Sequence, residues 1–246
     1  MNKYKCLIFD VDNTILDYDA CATRSLYQLF HHFGLECNNE IDELFTKICY
    51  DEWTKFGLNN LCDANIQNHY HDYYELYNTT RFETLKNALA ERSLKDISVH
   101  EMSDAYSELF NNTTVFVKDA EDVLETCAKK HIVAAATNGL SVIQRGRLAP
   151  VSKYLSHMFI SEEMKCVKPQ KEYYRYMLNE LDLPVKDCLF IGDLYTTDIQ
   201  GALSFGMDAC WFRQNSEKSE KWLEATDVPR QDVTQIHELK QLYDYI

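Results

Sequence analysis

The chain has 246 residues, 46% of them hydrophobic and 26% charged, the balance of a globular protein with room for one large α/β domain or for a core with a smaller partner domain. Thirty-nine acidic residues against 25 basic ones leave a formal net charge of −14, which repels a nucleic-acid backbone and excludes polymer binding through clustered Lys and Arg. Small anionic substrates stay compatible with that charge, because a bound divalent cation reverses the local sign.

The first strong element is Cys6-Leu7-Ile8-Phe9-Asp10, a short apolar run that ends in an acid. Such a run suits a strand buried on both faces, as in a parallel sheet. The stretch from Asp17 to Asn112 contains no comparable run. Leu26, Leu29, Phe30 and Phe33 follow helical spacing, with Gly34 as a stop. Ile41, Leu44, Phe45 and Ile48 predict a second helix, capped by Asn38 or Asn39. Tyr70, Tyr73, Tyr74 and Tyr77 mark a third. Ser98-Val99-His100-Glu101 is a capping-box pattern that opens a last one. Strand-like runs then return at Ile132–Thr137, His157–Ser161, Cys188–Asp193 and Ala209–Phe212, the second of these being the weakest. Helices are expected over Asp119–Lys130, over Pro169–Leu181 with Pro in the first turn, and over Asp198–Phe205 with a stop at Gly206. A polar stretch after Phe212 leads to a short helix expected near Ile236. Strands alternating with helices predict a Rossmann-like parallel sheet flanked by helices. Residues 1–16 and 113–246 form this core, and 17–112 an inserted helical domain.

No segment approaches the ~18 consecutive apolar residues of a membrane span. Met1 to Lys5 carry no apolar run ahead of Asp10. Nine cysteines without a Cys-x-x-Cys pair are read as free thiols in a reducing cytosol, rather than as disulfides or zinc ligands.

In a parallel sheet, ligands bind beyond the carboxyl ends of the strands. Those ends carry Asp10-Val11-Asp12-Asn13-Thr14, Thr137-Asn138-Gly139 and Gly192-Asp193, with Asp198 five positions on. Lys168-Pro169 opens a later helix. Clustered carboxylates raise one another's pKa unless a cation sits among them. Oxygen ligands favour a hard divalent ion such as magnesium, which pairs readily with phosphate. Thr137 and Lys168 then serve as donors to phosphoryl oxygens, and a carboxylate beside them can act as a nucleophile.

The ordered set of motifs resembles the haloacid dehalogenase-like hydrolase superfamily, whose pattern is Asp-x-Asp-x-Thr, then Thr or Ser, then Lys, then Gly-Asp-x-x-x-x-Asp. All four occur here in order from Asp10 to Asp198. The resemblance implies that Asp10 is the nucleophile and a magnesium ligand. It implies that Asp12 is the general acid and base and lends its backbone carbonyl to the metal. Thr137 and Lys168, with Asn138 beside them, match the phosphate-binding residues. Asp193 matches the acidic metal ligand, and Asp198 the acid that supports the metal-bound water or Lys168 from behind. The inserted helices match a cap that closes over substrate.

A narrower likeness, from Thr137-Asn138-Gly139, Ile160-Ser161-Glu162-Glu163, Lys168-Pro169 and Cys210-Trp211, is to the noncanonical pyrimidine nucleotidases. It implies a nucleoside monophosphate as substrate. A sugar-phosphate phosphatase or a phosphomutase shares the same core motifs. A dehalogenase lacks the acid at Asp12, because a halide leaves without a proton. A phosphate-storing receiver domain has no insertion of this kind. A non-catalytic binding module would not need the full set.

Several other residues carry both bland and functional readings. The tyrosine stripe, with Trp53 and Phe56, is read as packing within the helical insertion, with base stacking as the alternative. Arg24, Arg145 and Arg147 are read as exposed side chains, with contact to an anionic substrate as the alternative. His69 and His71 stand two apart and do not share a helix face, so they form no metal pair.

Overall fold

The computed structural model describes residues 3–89, 94, 96–214 and 233–246. In chain order it contains strand β1 (Cys6–Phe9), helices α1 (Tyr18–His32), α2 (Asn39–Lys55), α3 (Ala64–Asn68), α4 (Tyr70–Ala88), α5 (Val99–Asn111) and α6 (Ala120–Ala128), then β2 (Ile132–Thr137) and α7 (Ser141–Leu148). These are followed by β3 (His157–Ile160), α8 (Ser161–Met164), α9 (Lys171–Leu181), β4 (Cys188–Gly192), α10 (Gln200–Phe205), β5 (Asp208–Phe212) and β6 (Thr234–Ile236). The chain divides into two compact units, one of residues Met1–Tyr18 with Thr114–Ile246 and one of residues Asp19–Thr113.

The first unit is built on a six-stranded sheet in the order β3-β2-β1-β4-β5-β6. Every pairing is parallel. The period of two along β1 splits its side chains between two cores. Leu7 and Phe9 join Val123, Leu124, Val133, Ile191 and Phe212 on one face. Cys6 and Ile8 join Tyr173, Tyr174, Met177, Phe190 and Trp211 on the other. Both faces are covered, so all four residues of β1 and all five of β4 are buried. That is why these strands read as unbroken apolar runs. The strand order reverses at β1, between β2 and β4. In open α/β sheets that switch point is where the crevice at the carboxyl ends lies.

Three expectations need correction. The segment Thr234–Ile236, expected near a helix, is the edge strand β6, and the short 3₁₀ helix begins later, at Leu239. Its register with Cys210, Trp211 and Phe212 supplies the hydrogen bonds that a three-residue stretch cannot announce by its own periodicity. Pro169 does not lie in the first turn of a helix: it follows a cis peptide bond, and α9 starts at Lys171 after Gln170. The helix expected from Asp198 is preceded by a π-helical turn over Tyr195–Ile199, so α10 proper begins at Gln200.

The helical unit shows how its sequence caps and packs its elements. Asn38 accepts a hydrogen bond from the Ile41 backbone N–H and starts α2. Ser98 accepts one from the Glu101 N–H and starts α5. The tyrosine stripe of α4 packs against α2: the Trp53 ring lies 5.3 Å from that of Tyr77 and 6.4 Å from that of Tyr74. Tyr77 is buried, whereas Tyr70, Tyr73 and Tyr74 are partly accessible.

An unexpected buried cation sits beside the stripe. Arg81 donates to the Tyr77 hydroxyl at 3.2 Å, to the Asn78 side-chain oxygen and to Cys49 Sγ. Its guanidinium lies 4.6 Å from the Tyr106 ring centroid, 4.8 Å from that of Tyr77 and 5.3 Å from that of Phe82. Aromatic faces and neutral oxygens solvate the charge where water is excluded. Arg81→Ala should therefore destabilise this unit by about 3 kcal/mol, since it removes buried contacts and strands the Asn78 and Tyr77 acceptors. Urea unfolding followed by tyrosine and tryptophan fluorescence reads this directly.

Candidate active site

The carboxyl ends of β1, β2 and β4 bring together the acids and the lysine singled out in the sequence. Asp10 follows β1 directly, and its backbone N–H donates to the Ile191 carbonyl on β4 at 2.8 Å. The chain then turns sharply. The N–H groups of Ile15 and Leu16 both donate to the Val11 carbonyl, and Asn13 takes a left-handed φ of 58°, a conformation Asn tolerates. This turn sets Asp12 beyond Asp10.

Lys168 lies at the centre. Its ammonium donates to Asp10 Oδ1 at 2.5 Å, to Asp198 Oδ1 at 2.8 Å and to the Ala136 carbonyl at 3.0 Å. All three donors of the ammonium are thereby used. The lysine is held from the main chain by Asn138. The Asn138 side chain donates to the Lys168 carbonyl at 2.9 Å and accepts from the Lys168 N–H at 2.8 Å. Asn138 is thus engaged with the backbone of the lysine. Thr137 ends β2 with its side chain buried.

Asp198 occupies the π-helical turn, a device often found at functional sites. Its Oδ1 meets Lys168 and the Thr197 hydroxyl, and its Oδ2 accepts from the Leu194 N–H at 3.0 Å. Gly192 makes room for it: a Cβ there would come within 2.5 Å of Asp198 Oδ2. Asp193 follows, and the Trp211 indole N–H donates to its carbonyl at 2.8 Å.

Carboxylate oxygens of Asp10, Asp193 and Asp198 lie within 4.8 Å of one another. Burial pushes the Asp10 carboxyl up, Lys168 pulls it down, and Asp198 and Asp12 push it up again, leaving it at about 8. Burial, with Asp10 and Asp198, likewise pushes Asp193 well above the usual carboxylate range. Burial opposes the charge on Lys168, but Asp10 and Asp198 hold its ammonium well above the usual lysine value. Three carboxylates against one ammonium leave an excess of negative charge. A hard cation with oxygen ligands fits this donor set. Both oxygens of Asp198 are already engaged, so Asp10 and Asp193 are the better placed to hold it.

The fourth acid, Asp12, is served differently. Gln144 Nε2 donates to Asp12 Oδ2 at 2.8 Å and to Thr137 Oγ1 at 3.1 Å. Arg147 donates to Asp12 Oδ1 at 2.7 Å. The expectation that Arg147 is exposed is overturned: its relative exposure is 0%. The reason is the Asp12 carboxylate, a charge partner that makes burial of a guanidinium tolerable. Arg145 does lie at the surface, paired with Glu163, and Arg24 is also exposed. Gln144 was not singled out in the sequence at all. The available signal was its place three residues before Arg147, on the helix that follows Thr137-Asn138-Gly139.

Acids and a buried lysine thus meet at the carboxyl ends of the strands of this α/β protein, an arrangement that fits a hydrolase acting on an anionic group. The family model described as haloacid dehalogenase-like hydrolase matches residues 4–206, and the chain belongs to that family. The HAD-hydrolase YfnB of Bacillus subtilis is 24% identical over 97% of this chain and 95% of its own. The crystal structure of YfnB bound to magnesium superposes with a TM-score of 0.75 over 99% of this chain and 98% of that one. The pyrimidine 5'-nucleotidase PynA of Streptococcus pneumoniae is 28% identical over 85% of this chain and 84% of its own. The human N-acylneuraminate-9-phosphatase is 22% identical, covering 100% of this chain and 96% of its own. No helix among the described residues is long and apolar enough to cross a membrane, and none of the nine cysteines forms a disulfide.

The raised Asp10 value has a measurable consequence. An unfolded aspartate titrates near ~4, so between about pH 4 and about pH 8 the metal-free folded state holds a proton that the unfolded state has lost. Stability then falls as pH rises through that window. A divalent cation competes with that proton. Magnesium should therefore raise the melting temperature more at pH 8 than at pH 6, a difference that thermal scans with and without chelator will report.

Proposed function

We propose that this protein is a magnesium-dependent phosphomonoesterase that works through a phospho-aspartyl intermediate on Asp10, with nucleoside 5'-monophosphates as its substrates. The observation that carries this reading is the sharing of one buried lysine between Asp10 and Asp198 beside Asp193. It supplies a nucleophile, an ammonium for phosphoryl charge and a cation site in one place.

A magnesium ion held by the Asp10 and Asp193 carboxylates and the Asp12 carbonyl would supply positive charge to the phosphoryl oxygens. The chain's own groups do the rest. Thr137 holds the phosphoryl group while Lys168, whose donors serve Asp10, Asp198 and the Ala136 carbonyl, faces it as a positive charge, and the contact assigned to Asn138 falls to its main chain, since its side chain serves Lys168. The Asp10 carboxylate attacks phosphorus in line, and the ester bond breaks as Asp12 delivers a proton to the departing oxygen, so that an alcohol leaves. Asp12 then removes a proton from water, the hydroxide attacks the aspartyl phosphate, and inorganic phosphate departs with Asp10 restored. Lys168 balances the charge of Asp10 and of the transferred group through both steps. Selection of the leaving group is assigned to the helical unit of residues Asp19–Thr113.

PynA, which is named for pyrimidine 5'-nucleotides, supports the nucleotide reading. N-acylneuraminate-9-phosphatase, which matches the whole chain, supports a sugar phosphate as the second reading. Phosphate release from a panel of nucleoside monophosphates and sugar phosphates, with magnesium and with chelator, separates them. Magnesium-dependent release led by nucleoside monophosphates is expected. Release led by sugar phosphates would keep the chemistry and overturn the substrate. Asp10→Asn should abolish turnover while the melting temperature is retained. Residual activity above a hundredth of wild type would remove Asp10 from the nucleophile role.

A further inference from the structure

We infer that Gln144 and Arg147 are positioning residues that hold Asp12 for both proton transfers of the reaction, with Asp12 Oδ2 as the oxygen that carries the proton. This rests on the phosphatase reading above and adds to it a pair of residues that the four motifs do not contain.

Positions 144 and 147 are one turn apart on α7 and share a face. Arg147 grips Oδ1 of Asp12 at 2.7 Å, and Gln144 grips Oδ2 at 2.8 Å. A carboxylate bonded at both oxygens by two buried side chains loses its rotational freedom about the Cβ–Cγ bond. The Asp12 side chain itself keeps 29% exposure, whereas that of Arg147 keeps 1%. The carboxylate is therefore held from behind and open in front.

The two oxygens are not equivalent. Oδ1 faces a fixed positive charge. Oδ2 shares its amide donor with the Thr137 hydroxyl, 3.1 Å from Gln144 Nε2, and so points toward the phosphate-binding side. Gly139 leaves space for this bridge, since a Cβ there would come within 2.8 Å of Gln144 Nε2.

Arg147 is also anchored at its own end. Its carbonyl accepts from the Thr114 hydroxyl at 2.7 Å, and its guanidinium lies 5.6 Å from the Tyr18 ring centroid. A buried guanidinium–carboxylate pair is a poor source of net stability once desolvation is counted. Its value lies in geometry, because proton transfer depends on a reach of about 3 Å or less.

The test exploits leaving groups. A p-nitrophenolate leaves without a proton, whereas the ribose oxygen of uridine 5'-monophosphate needs one. Hydrolysis of the aspartyl phosphate needs Asp12 as base in either case. Arg147→Met and Gln144→Met should each lower kcat on uridine 5'-monophosphate by ~100-fold with little change in KM. With p-nitrophenyl phosphate each should give a burst of nearly one nitrophenolate per enzyme, followed by slow turnover. Arg147→Lys should recover part of the loss. Neither substitution should cost further activity in an Asp12→Ala background.

Equal losses on both substrates with no burst, or full additivity with Asp12→Ala, would overturn the inference. Where Arg147→Met fails to fold by circular dichroism, Gln144→Met, which keeps the volume and removes the amide that bonds Asp12 and Thr137, decides alone. A wild-type protein inactive on both esters and on the sugar phosphates of the panel overturns the phosphatase reading itself, so the two failures are told apart by the wild-type trace.

Discussion

The Lys168 ammonium, buried between Asp10 and Asp198, is the interaction on which the rest of the site depends. Burial opposes the charge of the ammonium, and the two acids beside it hold its proton in place. Lys168 in turn lowers the cost of ionising Asp10. The cost of burying them is met by the fold. Asn138 holds the Lys168 backbone on both sides, the Ala136 carbonyl accepts the third hydrogen bond of the ammonium, and the turn around Asp198 aims that acid inward. Two glycines stand where a methyl group would press on this machinery, Gly192 against Asp198 and Gly139 against Gln144.

The lysine neutralises part of the acidic cluster and leaves an acid-rich group of oxygens that a cation would suit. Asp12 stands apart from that arrangement, because its countercharge is Arg147 and not Lys168. Two carboxylates two residues apart are thereby given separate environments. One is coupled to an ammonium and lies beside the Asp193 carboxylate. The other is tied to a guanidinium and an amide on α7. Distinct environments suit neighbouring acids to the distinct roles proposed for them, Asp10 as nucleophile and Asp12 as proton carrier.

Much of the architecture was legible in the sequence, for a physical reason. Strands covered on both faces must be apolar throughout, so β1, β2 and β4 stood out as unbroken runs, and the acids at their ends marked the crevice. Local capping at Asn38 and Ser98 was equally readable, because each cap bonds only three residues away. The edge strand β6 was not, since its partner is β5 and not its own neighbours. The burial of Arg147 is not legible locally, because it depends on a partner, Asp12, that is 135 residues away in the chain. Arg81 escaped notice in a similar way, since two of the rings that surround it, Phe45 and Tyr106, come from α2 and α5. Charge burial is a tertiary property, and no local pattern announces it.

The most direct measurement is to locate the phosphoryl group. Asp12→Ala protein can be mixed with p-nitrophenyl phosphate and magnesium, quenched in acid, digested and analysed by mass spectrometry. The account predicts a phosphoryl group on the peptide that carries Asp10, absent when Asp10→Asn is added to the same protein. Nitrophenolate release with no phosphoryl group on any peptide, or with the group on another residue, would contradict it.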